Sequence, residues 1–504
     1  MTRLNDRLRT AFLLLGGSAS SSAPAGAGVN SRDAGPASGR WGRRAALALL
    51  ALGMGGCHTG ERPPSFFGFG AAEDAMAVRA AHAVIDSGGT AADAMVAMAL
   101  TSAVTLPSRV GVGGGGLCVV YDPFKKEART LDFLPESVAG QTPAPAFLRG
   151  LYALQTAYGK RRWELALGKA ESLAAVGVPV SAGLAADLSE ARDRLAADGA
   201  ARRIFFSSGG HPLLLGETLV QSDLAATLRI GRERGIGALY SPQVPGSIAG
   251  SLADRLGVSG ATLAGTHAEW RGTVDSEISS NILHLPDRRS GRDAGLAAAW
   301  SAAAPDGESK EGWLGAMIAA LGPGGGQAAP ATGMVAVDAA DQAVACVFTM
   351  GGLFGKGKVA AGTGVLAAGS GGATGIGGPA LVVNHPQNTI LFAGTGVANG
   401  GNEGGRSAEA ALLSAVHASA VEEVPGPQSL ARPRAAPAPG GGVLAEPGVT
   451  PAQLGPLAGA ARPAASLGQV EALACVYNRY TGIKGCEVAT DPRGQGGHFT
   501  TMAK

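Results

Sequence analysis

The pattern of the sequence changes abruptly at Thr332, and this change limits the fold more than any other feature. Residues 147 to about 240 carry Leu, Ala and Arg in the periodic spacing that is typical of helices. From Thr332 onward, β-like segments such as 334–338 and 343–349 alternate with Gly-rich turns. A Gly-rich segment, 322–331, joins the two parts. Helices first and strands second predict an α+β layered domain whose two parts share one core.

Helix-ending and helix-starting residues in the first part of the chain predict where its first helices and strands lie. From Ala71 to Leu106 the pattern predicts two helices, separated at Ser87–Gly89, and Thr90 is a candidate N-cap for the second. Glycines 113–116 then open into an apolar strand, 117–121, and Leu131–Phe133 is expected to pair with it. In the second part we expect a helix over 407–421 and mostly loops over 424–468.

Composition excludes several classes of partner. The 504 residues carry 41 Lys and Arg against 39 Asp and Glu, so the net charge of +2 does not favour a nucleic-acid partner. No Lys-Ser/Thr follows glycines 113–116, which argues against a phosphate-binding loop. The eight His show no spacing typical of metal ligands. We therefore expect no metal and no cofactor.

The first 65 residues are typical of an export signal. Arg40, Arg43 and Arg44 precede an apolar run, 45–52, and Cys57 follows two glycines. Such an arrangement is similar to a bacterial lipoprotein signal, in which the Cys57 thiol would carry the lipid. The alternative is a plain signal peptide with an incidental cysteine. Either predicts the periplasm, and the first predicts contact with a membrane only through a lipid anchor.

Four further cysteines follow. Cys118 and Cys346 lie in apolar stretches and are expected to be small core residues. Cys475 and Cys486 flank a short loop. In an oxidising compartment a disulfide between these two is expected to contribute about 2–3 kcal/mol.

An ordered series of motifs resembles the gamma-glutamyltranspeptidase family. Individually these motifs are weak, but their order and spacing over roughly residues 70 to 400 identify a divergent bacterial member. The matching segments are 84–94, 111–115, 131–133, 158–163, 177–181, 219–228, 337–338, 343–345, 354–357 and 362–366.

The resemblance implies a four-layer αββα N-terminal-nucleophile hydrolase, made as a proenzyme that cuts itself before a Thr. Residues 66–321 would form a large-subunit-like region, 322–331 the processing segment and 332–504 a small-subunit-like region, and the two fragments would stay associated. The new terminal Thr would transfer a gamma-glutamyl group from a small amide such as glutathione to water or an amino acid.

The family pattern places the nucleophile seven residues before the Asp of a strand end, which here is Ala331. Thr332 corresponds to the second Thr of the usual pair, so we predict Thr332 as nucleophile; the alternative is a Thr that simply favours a strand. Thr349 and Thr363 supply further hydroxyls near the expected site. The backbone amides that stabilise the oxyanion are assigned to Gly394 with Gly396, or else to positions 400 and 401.

Several expected side chains are absent. Leu134 occupies the position of an Arg that clamps the substrate carboxylate, and Arg109 is the candidate substitute, unless it is simply an exposed Arg. The motif after Thr349 lacks its Asn, and residues 367–371 lack the acidic groups of the family. The alternative function is therefore a catalytically inactive envelope lipoprotein that keeps the fold for binding or assembly.

Overall fold

A computed structural model describes most of the chain after residue 65. The prediction for residues 1–65, including lipidation of Cys57, lies outside the described residues, as do positions 324–327 of the processing segment. Among the helices described, none combines the length and apolar character needed to cross a bilayer. The described ranges are 66–135, 141–290, 293–304, 309–323, 328–370, 375–400, 403–477 and 484–502.

Helices dominate the first part of the chain, with short strands between them. A single 3₁₀ turn, Ile236–Leu239, follows α8. In chain order the elements are β1 Phe66–Ala72, α1 Ala75–Asp86, α2 Ala91–Thr105, β2 Gly115–Asp122, β3 Glu127–Phe133, α3 Phe147–Tyr158, α4 Trp163–Val176, β4 Val178–Pro179, α5 Ala182–Glu190, α6 Arg192–Ala196, α7 Gly199–Phe205, β5 Thr218–Leu219, α8 Ser222–Arg234, α9 Ala249–Leu256 and α10 Gly260–Gly265.

Strands dominate the remainder. A π-helical turn, His417–Val421, extends α13, and a 3₁₀ helix, Gly455–Ala460, follows α15. The elements are β6 Glu269–Arg271, β7 Thr273–Ile278, β8 Asn281–Pro286, α11 Asp293–Ala303, α12 Trp313–Leu321, β9 Ala331–Asp338, β10 Ala343–Thr349, β11 Val359–Ala360, β12 Val365–Leu366, β13 Ile376–Asn384, β14 Thr389–Val397, α13 Ser407–Val416, α14 Gly426–Ala431, β15 Ala435–Pro437, β16 Val443–Ala445, α15 Pro451–Leu454, β17 Ala461–Pro463, β18 Gln469–Tyr477, β19 Lys484–Thr490 and β20 Gly497–Met502.

Two antiparallel sheets pack face to face at the centre of the fold. The first has the order β20-β1-β9-β10-β2-β3-β6 and the second β19-β18-β14-β13-β8-β7. Helices α1 and α2 cover the outer face of the first sheet, and α13 covers that of the second. The layers are therefore αββα, as the family resemblance implied. Strands β9 and β10 lie between β1 and β2, so both parts of the chain build one sheet.

Alternate side chains along β9 belong to two different parts of the hydrophobic core, one on each face of the first sheet. Met334 and Ala336 face the helical layer, whereas Val335 and Val337 face the second sheet. Helix α2 packs close to the first sheet because it is rich in Ala and buried along its length. Thr90 begins this helix in a reciprocal cap with Asp93, which confirms the predicted N-cap.

Other expectations needed correction. Residues 71–72 end strand β1 instead of starting a helix, because Asp74 accepts a hydrogen bond from the Ala77 amide and so caps α1. The segment 424–468 holds two short α-helices, one 3₁₀ helix and three short strands, where we expected mostly loops. Strands β6–β8 and β18–β20 were not foreseen at all, since they are found only by their pairing with distant strands.

Two disulfides each join neighbouring antiparallel strands. Cys475 and Cys486 are direct partners on β18 and β19, with Cα atoms 4.0 Å apart. Cys118 on β2 and Cys346 on β10 form the other bond, at 4.1 Å. The expectation that Cys118 and Cys346 are only small core residues was therefore incomplete: both are buried, and they are also bonded to each other.

Candidate functional site

The start of β9 places two neighbouring side chains on opposite faces of the first sheet. Ala331 points between the sheets, into an apolar cluster that includes Val347, Ile376 and Val397 and against which Leu134 packs. Thr332 lies opposite Phe348 in the ladder, on the face turned toward the helices, and is fully buried. Thr332, the predicted nucleophile, therefore faces the helical layer, whereas Ala331, at the position that the family pattern gives for the nucleophile, faces the second sheet.

The Thr332 hydroxyl is a buried polar group without a hydrogen bond of standard geometry. Glu73, which directly follows β1, lies beside it, and its Oε2 is likewise buried without a partner. Burial raises the pKa of Glu73, while the Arg109 guanidinium and the Thr332 hydroxyl oppose that rise. The Thr332 hydroxyl is thus next to the Glu73 carboxylate in a buried setting, where polar groups without a conventional partner are uncommon.

Arg109 holds this carboxylate from the other side. Its Nη1 lies 3.2 Å from Glu73 Oε1 and donates to Asn399 Oδ1 at 3.2 Å. Its Nε and Nη2 donate to the two oxygens of Asp187 at 3.0 and 3.1 Å. The alternative of an exposed Arg109 is therefore wrong. The predicted role as a substrate clamp is also not supported by this geometry, because the fork of donors is already occupied by protein groups.

A cleft of about 230 Å³ adjoins the same carboxylate. Glu73 is thus in contact with the cleft on one side and with Thr332 on the other. The remaining lining includes Asp74, Arg79, Leu106, Ser181 and Gln495.

A second pair of polar residues approaches from the other sheet. Thr395 Oγ1 lies 2.1 Å from the position that a Cβ on residue 333 would occupy, so only Gly333 permits this approach. Glu471 is the ladder neighbour of Thr395, and burial raises its pKa well above the ordinary value. Both side chains have a buried oxygen without a partner. Sequence reasoning missed Glu471, although an acidic residue at an inward position of the strand 469–477 was an available signal.

The other predicted hydroxyls are placed differently. Thr349 is the ladder partner of Ala331, and its Oγ1 lies 3.4 Å from the Pro330 carbonyl oxygen, next to the processing segment. Thr363 donates to Ala360 O and accepts from the Val365 amide, which closes the turn between β11 and β12. The structure therefore brings Thr349, but not the Thr363 hydroxyl, to the start of β9.

The predicted oxyanion glycines lie inside β14. A Cβ at Gly396 would stand 2.4 Å from the Ala408 carbonyl oxygen of α13, and one at Gly394 would stand 2.5 Å from the Phe392 ring. Close packing within the second sheet and against α13 explains both glycines, and the structure does not bring them to Thr332. The alternative, Gly400, would place a Cβ 2.9 Å from Pro330, near the start of β9; its partner at 401 lies outside the described residues.

Among the described residues, no group of three or more His, Cys, Asp or Glu side chains is placed to hold a metal ion. The candidate site therefore consists of hydroxyls, carboxylates and one guanidinium. Such a set can bind, hold or move a proton, and it can position a hydroxyl for attack on a carbonyl group.

Known proteins resemble this chain in both sequence and fold. Residues 77–144 and 136–269 match the model of the family described as gamma-glutamyltranspeptidase. A glutathione hydrolase proenzyme of Bacillus subtilis subsp. natto is 30% identical over 42% of this chain and 39% of its own length. Glutathione hydrolase 7 of Bos taurus is 31% identical over 31% of this chain and 26% of its own length.

A solved cephalosporin acylase from Bacillus halodurans has the same architecture, with a TM-score of 0.68, 17% identity, and coverage of 87% of this chain and 96% of its own. This likeness confirms the predicted four-layer αββα fold. The matched segments span well under half of the two glutathione hydrolases. These relatives are named as hydrolases, and they give no support to the inactive alternative.

Proposed function

We propose that this chain, which resembles the gamma-glutamyltranspeptidase family over residues 77–269, is an amidohydrolase that cuts itself before Thr332 and then uses that residue as its nucleophile. The observation that supports this most directly is the Thr332 hydroxyl, which is buried beside the Glu73 carboxylate and makes no hydrogen bond of standard geometry.

Cleavage would turn Thr332 into a nucleophile with its own base. An α-amine has a pKa near 8 and, once free, can take the proton of the hydroxyl on the same residue. The hydroxyl oxygen would attack the substrate amide to form an acyl-enzyme. Water or an amino-acid amine would then release the acyl group. Thr349, beside the Pro330 carbonyl, is placed to bond the backbone at the start of β9.

The substrate is proposed to be a small amide, with a gamma-glutamyl compound such as glutathione as the first candidate, since the relatives are named glutathione hydrolases. Leu134 contacts the apolar cluster that contains Ala331 and offers no charge to an α-carboxylate. We therefore expect removal of the α-carboxylate from gamma-glutamyl p-nitroanilide to leave its rate of hydrolysis nearly unchanged. A large loss of rate without that carboxylate would contradict this account of Leu134.

The test of self-cleavage is a reducing gel of the purified protein, with mass spectrometry of each fragment. Cleavage before Thr332 gives fragments of about two-thirds and one-third of the mature chain. Thr332→Ala is expected to remain whole, whereas Thr332→Ser keeps a hydroxyl and is expected to cleave. Thr101→Ala, which alters another buried Thr in α2, is the matched control and should cleave like the unmodified protein.

An unbroken bond between residues 331 and 332 in folded protein would refute the hydrolase proposal. Fragments that begin at Ala331 would refute the assignment of Thr332, because alanine has no nucleophilic group. Unchanged cleavage in Thr332→Ala would do the same.

We further propose that the protein is exported to the periplasm and anchored by lipid at Cys57. The two disulfides support an oxidising compartment, since such bonds are rare in the cytosol. Expression of the full chain in a Gram-negative host should place it in the membrane fraction with an acylated Cys57. Cys57→Ala should release it in soluble form, and a membrane-bound Cys57→Ala variant would contradict the anchor.

A further inference from the structure

Self-cleavage needs a base, and Thr332 cannot provide one before its α-amine has been freed. In the intact chain the nitrogen of residue 332 is an amide, which has no basic lone pair, so the proton of the attacking hydroxyl must go to another group. Resting on the function proposed above, we infer that Glu73 is this base and that it is a catalytic residue of chain cleavage.

The contacts of Glu73 fit this role on two sides. Toward β9, its unpartnered Oε2 and the unpartnered Thr332 Oγ1 are both buried, and the hydroxyl lies close enough to influence the carboxylate. On the other side, Arg109 Nη1 lies 3.2 Å from Oε1. One oxygen is thus held by the guanidinium while the other remains available to accept a proton.

The rigidity of this arrangement comes from α5, which carries Asp187, and from the loop after α2, which carries Ser108 and Arg109. Asp187 receives two hydrogen bonds from Arg109 and a third from the Ser108 hydroxyl at 2.6 Å. Arg109 is therefore fixed in place and in turn fixes Glu73. General bases work best when their position is set before the reaction begins.

The charged groups around Glu73 set its basicity. Burial raises its pKa, and two neighbouring carboxylates add to the rise, while Arg109 opposes it. The result favours a stronger base than an exposed glutamate, and the cleft beside Glu73 admits the water that the later step consumes. The charged residues facing it are Arg109, Asp187, Asp74, Glu471 and, in the cleft, Arg79.

The atoms balance as follows. The proton on Thr332 Oγ1 moves to Glu73 Oε2 while the oxygen bonds to the Ala331 carbonyl carbon. The bond from that carbon to the Thr332 nitrogen then breaks, and Glu73 returns the proton to the departing nitrogen. This step leaves an ester and the free α-amine of Thr332. Water then hydrolyses the ester, which frees the Ala331 carboxylate with a proton and restores the Thr332 hydroxyl.

The experiment follows the rate at which intact precursor, unfolded and then refolded, converts to fragments between pH 5 and 9. In Glu73→Gln, which keeps the shape but cannot accept the proton, we expect conversion to slow by about 100-fold or more. The rise of the rate with pH that the unmodified protein shows should also disappear. Glu73→Asp retains a carboxylate and should recover part of the rate.

Glu171→Gln is the matched control, because Glu171 is a partly buried, ion-paired carboxylate between α4 and α8, and its precursor should convert normally. Near-ultraviolet circular dichroism identifies any variant that fails to fold. If Glu73→Gln fails to fold, the test is the pH profile of Glu73→Asp, which should be shifted from that of the unmodified protein. A Glu73→Gln precursor that converts at the normal rate with the normal pH profile would overturn the inference. Absence of conversion in the unmodified protein would instead overturn the proposed function.

Discussion

Arg109 is enclosed by carboxylates that the sequence places far apart. Glu73 lies 36 positions before it and Asp187 lies 78 positions after it, yet both contact its guanidinium. Taking one partner from a buried ion pair leaves the other charge without compensation, which costs more than the pair itself contributes.

We therefore expect Arg109→Met to lower the free energy of unfolding by about 3–5 kcal/mol. Arg109→Lys should lower the free energy of unfolding by less, because the lysine keeps the positive charge. Some loss should remain, because lysine cannot make the two parallel hydrogen bonds to Asp187. Urea unfolding at pH 7 measures both. Arg162→Met, at a side chain that is 79% exposed, is the control and should change stability by less than about 0.5 kcal/mol. Equal stability of Arg109→Met and the unmodified protein would show that the network contributes nothing.

Glu471 is fully buried on β18, and burial is the main cause of its raised pKa. When the pKa of a carboxyl group is higher in the folded chain than in the unfolded chain, its contribution to stability is fully present at a pH below the unfolded-state pKa. That contribution is lost as the pH rises through the folded-state pKa. For a glutamate, the loss begins above about pH 4.5.

Glu471→Gln should therefore become more stable than the unmodified protein as the pH rises, with a gain on the order of 1 kcal/mol or more at pH 8 and almost none at pH 4. The Gln469 side chain, which donates to Glu471 Oε1 at 3.0 Å, can donate equally to the new amide oxygen. Thermal unfolding at both pH values tests this. Glu127→Gln, at a 53% exposed side chain, serves as the control. A gain that is the same at pH 4 and pH 8 would contradict the assignment.

At the scale of elements, glycine decides how closely α13 approaches the second sheet. Gly396 lets the backbone of β14 approach the Ala408 carbonyl, and a methyl group there would stand 2.4 Å from that oxygen and 2.7 Å from Leu412. The nearest atoms belong largely to the helix backbone, which cannot move aside as a flexible side chain would.

Gly396→Ala should accordingly lower the free energy of unfolding by about 1–3 kcal/mol. The matched control is Gly250→Ala within α9, where an added Cβ would have no atom within 4 Å. That change should stabilise the protein by about 0.5–1 kcal/mol, since alanine favours a helix. Chemical denaturation of both variants provides the comparison, and a neutral Gly396→Ala would show that α13 shifts easily.

At the scale of the whole molecule, the first sheet holds together the two parts of the chain that cleavage would separate. Strands β9 and β10 follow the cleavage point but lie between β1 and β2, which precede it. The Cys118–Cys346 disulfide adds a covalent bond between the same parts, across 228 positions of sequence. Cys475–Cys486, in contrast, lies wholly within the second part.

A processed molecule should therefore migrate as one species on a denaturing gel without reductant and as two with it. In Cys118→Ser/Cys346→Ser, two fragments should appear under both conditions, yet they should co-elute in native size-exclusion chromatography because the strands interleave. Cys475→Ser/Cys486→Ser is the control and should keep the linked species. Two bands from the unmodified protein without reductant would exclude the bond.

Local patterns in the sequence determined the α+β class and many elements of the first part of the chain, whereas the four-layer order came from the family resemblance. The Thr90 cap, the β2–β3 pairing and the change from helices to strands near 332 each follow from neighbouring residues, because capping and alternation act over a few positions.

Tertiary structure alone decided the site. The sequence singled out Thr332 and Arg109, but their partners Glu73 and Asp187 lie on other elements, and only the order of strands and the packing of α5 bring them together. The same holds for Thr395 and Glu471, and for the bond between Cys118 and Cys346. Contacts between distant residues depend on how layers pack, and a local pattern contains no information about which distant side chain will face it.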